Sequence, residues 1–136
     1  MGMRLKVVAG LLAALGVAAC VQAQTRERQQ ERLDELLPYA GEPVDSFRFW
    51  NLTQWELVGS DKVVVWPRLQ EAFLITVDEP CTDLEWAKSI AVTSSAQRVT
   101  ARFDSVKAGK DTCRIREIRP LDMKRYQRER KATRQD

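Results

Sequence analysis

Few residues of this chain are placed to do chemistry. The stretch Asp78-Glu79-Pro80-Cys81-Thr82-Asp83-Leu84-Glu85 holds four carboxylates in eight residues, a composition that can bind hard cations or share a proton. It lacks the alternating Asp/Asn ligands and the turn glycine of a calcium-binding EF-hand loop, so no metal is expected there. The simpler reading is a helix start, where negative charge is favourable against the helix dipole. The 136 residues contain no histidine, which removes the side chain most used for proton transfer near neutral pH and the commonest metal ligand. No nucleophile elbow, Ser-x-x-Lys motif or phosphate-binding loop is present. An enzyme built on this chain would be a small carboxylate-dependent hydrolase or lyase, yet no pair of carboxylates has environments that the sequence sets apart. No catalytic residue and no cofactor are assigned.

The three cysteines carry more information. Arg4 and Lys6 precede an uncharged apolar run, Val7 to Ala19, which matches a secretory signal in length and is too short to span a bilayer. Two cleavage signals overlap after it. Val17-Ala18-Ala19-Cys20 resembles a bacterial lipobox, in which Cys20 receives the lipid and becomes the first mature residue. Val21-Gln22-Ala23 resembles an ordinary signal-peptidase site. The lipobox is preferred, although Val stands where Leu is usual at its first position. Either route removes Cys20 from the thiol pool and leaves Cys81 and Cys113 to form a disulfide in an oxidising compartment. Closing a loop of about 33 residues restricts the unfolded chain by roughly 3 to 4 kcal/mol on the loop-entropy model. The expected location is the periplasm, with an anchor to the cell envelope.

Beyond the leader about 117 residues remain, the length of one domain. From Cys20 to Cys113 there are eleven basic and fifteen acidic residues, net −4, and from Arg114 to Asp136 nine basic and four acidic, net +5. The tail basics Lys124, Arg125 and Arg128, with Arg130, Lys131, Arg134 and Tyr126, are candidate contacts for an acidic surface. Export leaves no nucleic acid to meet, so anionic lipid head groups or cell-wall polymers are the partners to consider, each basic residue near such a membrane being worth about 1 kcal/mol. A merely solvated tail is the simpler reading. Trp50, Trp55, Trp66 and Trp86 could line a groove for sugar rings or peptides, but most tryptophans of a small β domain are core. Trp50 falls opposite Phe47 and Phe49 in the alternation and is the candidate binding aromatic, with core or edge packing as its simpler role.

The elements that must position these groups follow from periodicity. Thr25 to Leu37 has good helix formers and i,i+3 pairs, Arg28 with Glu31 and Arg32 with Glu35, but few apolar residues, so a short exposed helix or tether is expected over residues 20–44. Pro38, Gly41 and Pro43 end it. A period of two then predicts strands at Ser46–Trp50, Trp55–Val58, Lys62–Trp66 and Glu71–Val77, with turns at Gly59-Ser60-Asp61 and Pro67-Arg68. Thr82-x-x-Glu85 reads as a capping box opening a short helix, Asp83 to Lys88. Strands at Ser89–Thr93, Arg98–Asp104, with Val99, Ala101 and Phe103 on one face, and Cys113–Ile118 complete the set, with a bulge near Glu117. The fold class is mainly β, a small antiparallel barrel or sandwich of six to seven strands over residues 45–120. Pro120 closes the last strand, and residues 121–136 form a frayed, basic tail.

The segments Asp45-Ser46-Phe47, Leu57-Val58-Gly59 through Val65-Trp66, Glu71-Ala72-Phe73-Leu74, Cys81 with Leu84, and Cys113-Arg114-Ile115 through Ile118-Arg119-Pro120 resemble a family of exported Gram-negative bacterial proteins whose domain has no known function. The resemblance covers nearly all of the body and stops at Pro120. It implies an exported single domain with a cysteine pair, and it supplies no activity. Together these readings describe an exported envelope protein whose β domain binds or supports another envelope component, protein or polymer.

Overall fold

The computed structural model describes residues 23–135; the expected leader, both cleavage signals and Cys20 lie outside the described residues. Among the described residues helix α1 covers 23–36 and passes into a one-turn 3-10 helix, Leu37–Tyr39. Eight strands follow: β1 Ser46–Arg48, β2 Gln54–Leu57, β3 Lys62–Arg68, β4 Glu71–Val77, β5 Ala91–Val92, β6 Arg98–Thr100, β7 Ser105–Ala108 and β8 Asp111–Leu121. Helix α2, Met123–Gln135, ends the described chain. Every strand pairing is antiparallel, in a curled six-stranded sheet of order β2-β3-β4-β8-β7-β5 and a two-stranded ribbon of β1 and β6. The expected mainly β architecture is what forms, with β7 as an additional strand.

Strands β3 and β4 are buried on both faces, which is why they read as unbroken apolar runs. Val63, Val65, Phe73, Ile75 and Val77 point to one core, where the β1–β6 ribbon covers them with Phe47, Phe49 and Val99. Phe47 stacks on Phe73 with ring centroids 4.2 Å apart. The alternate residues Val64, Trp66, Ala72 and Leu74 point to a second core, closed by Leu33 and Leu36 of α1 and by Met123 and Tyr126 of α2. Side chains at successive strand positions alternate faces, so the two cores share these strands.

Helix α2 is therefore a docked element rather than a frayed tail. Its start is fixed by the Asp122 carboxylate, which accepts the Arg125 N–H at 3.1 Å, and its first turn buries Met123 and Tyr126. Few apolar positions suffice because they fall on one side of the helix, against the sheet. Strand β8 likewise runs one residue past Pro120, to Leu121.

Two further departures concern strand ends. Pro67 lies inside β3, at the register shift between Val65 and Arg68, where a residue without an N–H is tolerated; the turn falls at Leu69-Gln70. The expected strand Arg98–Asp104 ends at Thr100, because Arg102 takes φ +67° and the chain folds back over Asp104. Asp104 is buried, and its carboxylate accepts the Thr93 hydroxyl and the Thr100 N–H, each at 2.8 Å. Val99 stays in the core while Phe103 is 70 % exposed. The bulge expected near Glu117 is present: Thr76 pairs with Glu117 and Val77 with Ile115, leaving Arg116 as the extra residue.

Candidate functional site

The acidic stretch and the cysteines come together at one end of the sheet. Cys81 and Cys113 form a disulfide with Cα atoms 5.8 Å apart, and both residues are buried in the first core. The bond ties the loop after β4 to the start of β8. Beside it Thr82–Trp86 winds as a 3-10 turn, with Cys81 in the cap position and no side-chain cap bond, in place of the expected capping box and helix. The start is held from outside. The Asp83 N–H donates to Asp111 Oδ2 at 2.9 Å, and Asp83 Oδ2 accepts the Lys110 N–H at 2.7 Å. Leu84, fully buried, plugs the turn into the core.

The four carboxylates of the stretch are thus divided. Asp83 latches the β7–β8 turn, and Asp78 is exposed after its N–H donates to the Arg114 carbonyl at 2.8 Å. Glu79 and Glu85 line an open depression of about 530 Å³ together with Ser60, Thr82 and the outer side of Cys81. An adjoining depression of about 390 Å³ shares Ser60 and Glu85 and reaches Arg26 and Gln29 of α1. Glu79 is exposed, and Glu85 faces Arg26 at 3.5 Å. This groove presents the exposed Glu79 carboxylate, the half-buried Glu85 carboxylate and the hydroxyls of Ser60 and Thr82, a surface suited to hydrogen bonding. The one grouping of cysteine and carboxylate ligand atoms among the described residues, Cys81, Asp111 and Cys113, has its sulfurs joined to each other.

A second polar cluster, not foreseen from the sequence, joins the two helices to the sheet. The Tyr126 hydroxyl donates to Glu35 at 2.7 Å and accepts from Arg32 at 2.6 Å and Arg130 at 2.8 Å. Arg32 also donates to Glu56 of β2 at 2.9 Å and to Glu35 at 3.1 Å. Burial works against the charge of Arg32, but its bonds to Glu56, Tyr126 and Glu35 outweigh that and hold the guanidinium above its ordinary range. The Tyr126 hydroxyl, opposed by partial burial and helped by Arg32, holds Glu35 below the usual carboxylate range. Nearby, Tyr39 donates to Glu129, a bond that raises the phenol's pKa, and Arg125 donates to the Pro38 carbonyl at 2.6 Å while lying over the Tyr39 ring. The only sequence signal was the Arg32–Glu35 spacing; Tyr126 was hidden among tail basics.

The candidate binding residues lie apart. Trp50, 65 % exposed, follows β1 on the first-core side of the sheet. Trp86 is also exposed, Trp55 half-buried and Trp66 buried in the second core. Lys124 and Arg128 sit on the exposed side of α2, which packs on the second-core side, and Arg125 is turned back onto residues 38 and 39. Cys20 lies outside the described residues. Among the described residues no helix is long and apolar enough to cross a membrane.

Neither the curated proteins nor the solved structures contain a significant match to this chain. The model of a family described as a family of unknown function (DUF6491) matches residues 3–136, helix α2 and the whole stretch past Pro120 included, and the chain belongs to that family.

Proposed function

We propose that the chain is an exported protein of a Gram-negative envelope, held at a membrane through a lipidated Cys20 or released into the periplasm, and that its body is a non-enzymatic binding or structural domain. The observation that carries this reading is the buried Cys81–Cys113 disulfide, which joins segments 32 residues apart and belongs to an oxidising compartment. The apolar run ending at Cys20 supplies the route there. The open groove over the disulfide is the surface proposed to meet an envelope protein or polymer. A hydrolase or lyase using Glu79 and Glu85 is the second reading, favoured by their sharing one depression.

The test is fractionation of cells producing the full-length chain, with metabolic lipid labelling of wild type and Cys20→Ala and alkylation of free thiols before lysis. The reading expects envelope fractionation, label lost with Cys20, and no alkylation of Cys81 or Cys113. Cytosolic protein with an intact leader and two alkylated cysteines would overturn it.

A further inference from the structure

Helices α1 and α2 each carry one row of like charge on the side turned away from the sheet, and the rows are of opposite sign. On α1, Glu27, Glu31 and Asp34 stand at i, i+4 and i+7, all exposed and opposite the buried Leu33 and Leu36. On α2, Lys124, Arg128 and Lys131 stand at the same spacing, all exposed and opposite Met123 and Tyr126. Each row rises about 10 Å along its helix, so their pitches match. The remaining charges of the two helices are largely engaged elsewhere: Arg26 faces Glu85, Arg32 and Glu35 bind Tyr126, Arg125 covers Tyr39, and Glu129 accepts from Tyr39. Arg28 borders the acidic row. Asp34 accepts one hydrogen bond, from Gln30 on its own helix, which leaves its charge uncompensated. Among the described residues no ion pair crosses from one row to the other.

We infer that this helical layer is a self-complementary interface through which the chain pairs with a second copy of itself. Leu33, Leu36, Met123 and Tyr126 close the same core, so both rows face away from one side of the sheet. A two-fold axis running between α1 and α2 sets the acidic row of each copy over the basic row of the other, the isologous arrangement in which every contact occurs twice. An anionic membrane laid on this face would meet the acidic row as well as the basic one. A second copy satisfies both. Exposed ion pairs are individually weak and screened by salt, so the pairing is concentration- and salt-dependent.

Sedimentation velocity on the full chain over a concentration series, at low and high salt, tests this with two charge-reversed variants. One carries Lys124→Glu, Arg128→Glu and Lys131→Glu; the other carries Glu27→Lys, Glu31→Lys and Asp34→Lys. The wild type should associate at low salt and dissociate on raising it, and each variant alone should associate at least about tenfold more weakly. An equimolar mixture of the two variants, one with both rows acidic and one with both basic, should restore a one-to-one complex, a rescue that no folding defect produces. A wild type monomeric throughout, association untouched by either reversal, or a mixture that does not pair would each overturn the inference. So would a wild type monomeric in buffer that binds phosphatidylglycerol vesicles through its basic row.

Discussion

The Tyr126 hydroxyl and the Glu35 carboxylate meet at 2.7 Å across 91 residues of sequence, closing α2 onto α1. Because the same hydroxyl accepts from Arg32 and Arg130, its removal leaves two guanidinium groups and a carboxylate short of a partner. Tyr126→Phe keeps the ring in the core and should cost about 1 to 3 kcal/mol, the range for breaking partly buried hydrogen bonds that include charged groups. Tyr126→Ala should cost about 3 to 5 kcal/mol by adding a cavity. Urea denaturation measures both. A double-mutant cycle with Glu35→Ala checks the coupling, and additive losses would mean that the two residues act independently.

The same clasp has a pH window. Glu35 is held below its ordinary value of 4.5, so it binds fewer protons folded than unfolded; its contribution is present above that value and is lost as the pH falls through the lower folded pKa. Tyr39 is held above its ordinary value of 10.0 by the bond to Glu129, so its contribution is present below pH 10.0 and is lost as the pH rises through the higher folded pKa. Stability should therefore be flat through neutrality and decline at both extremes. Glu35→Gln should blunt the acid limb and Tyr39→Phe the alkaline limb in melting temperatures recorded against pH. Unchanged limbs would assign the declines to other groups.

The Cys81–Cys113 bond should carry a large part of the stability of so small a body. For a separation of 32 residues the loop-entropy model gives roughly 3 to 4 kcal/mol. Reduction, or the pair Cys81→Ala and Cys113→Ala, should lower the denaturation midpoint accordingly while the far-ultraviolet circular dichroism of the survivors stays β-rich. A midpoint within error of the oxidised protein would show the bond to be incidental.

Much of this architecture was written in local pattern. The alternation of β1 and β2, the β-branched and aromatic apolar runs of β3 and β4 and the broken alternation at Glu117 each act within a few residues and each led to the right element, while the disulfide followed from cysteine parity alone. The failures arose where distant parts decide. Thr82-x-x-Glu85 has the spacing of a capping box, but Asp111 and Lys110 took over the start of that turn, and Glu85 was drawn to Arg26. Val99, Ala101 and Phe103 alternate as a strand would, yet the bonds of Asp104 to Thr93 and Thr100 bend the chain first. The tail looked solvated because the value of Met123 and Tyr126 depends on Leu33 and Leu36, about 90 residues earlier in the chain, packing into the same core on the same side of the sheet. The groove over the disulfide was foreseen only as a run of carboxylates, since its walls come from α1 and the β2–β3 turn.

Left-handed backbone supplies the last prediction, with opposite signs at two turns. Gly109 has φ +56°, and a Cβ added there would lie 2.7 Å from Asp83 Oδ2, the oxygen that accepts the Lys110 N–H. Gly109→Ala should cost at least about 1 to 2 kcal/mol from the backbone alone, and should also loosen the Asp83–Asp111 latch beside the disulfide. The Ala96-Gln97 turn closes β6 with the mutual hydrogen bonds of Ser95 and Arg98, both central residues at positive φ, in the place where Asn-Gly is favoured. Gln97→Gly should stabilise by about 0.5 to 1 kcal/mol, the relieved strain being partly offset by the greater freedom of glycine in the unfolded chain. Paired thermal melts of the two variants decide it: destabilisation by Gln97→Gly would mean that the 96–97 turn carries no strain, and a neutral Gly109→Ala would mean that the Asp83 latch gives way at no cost.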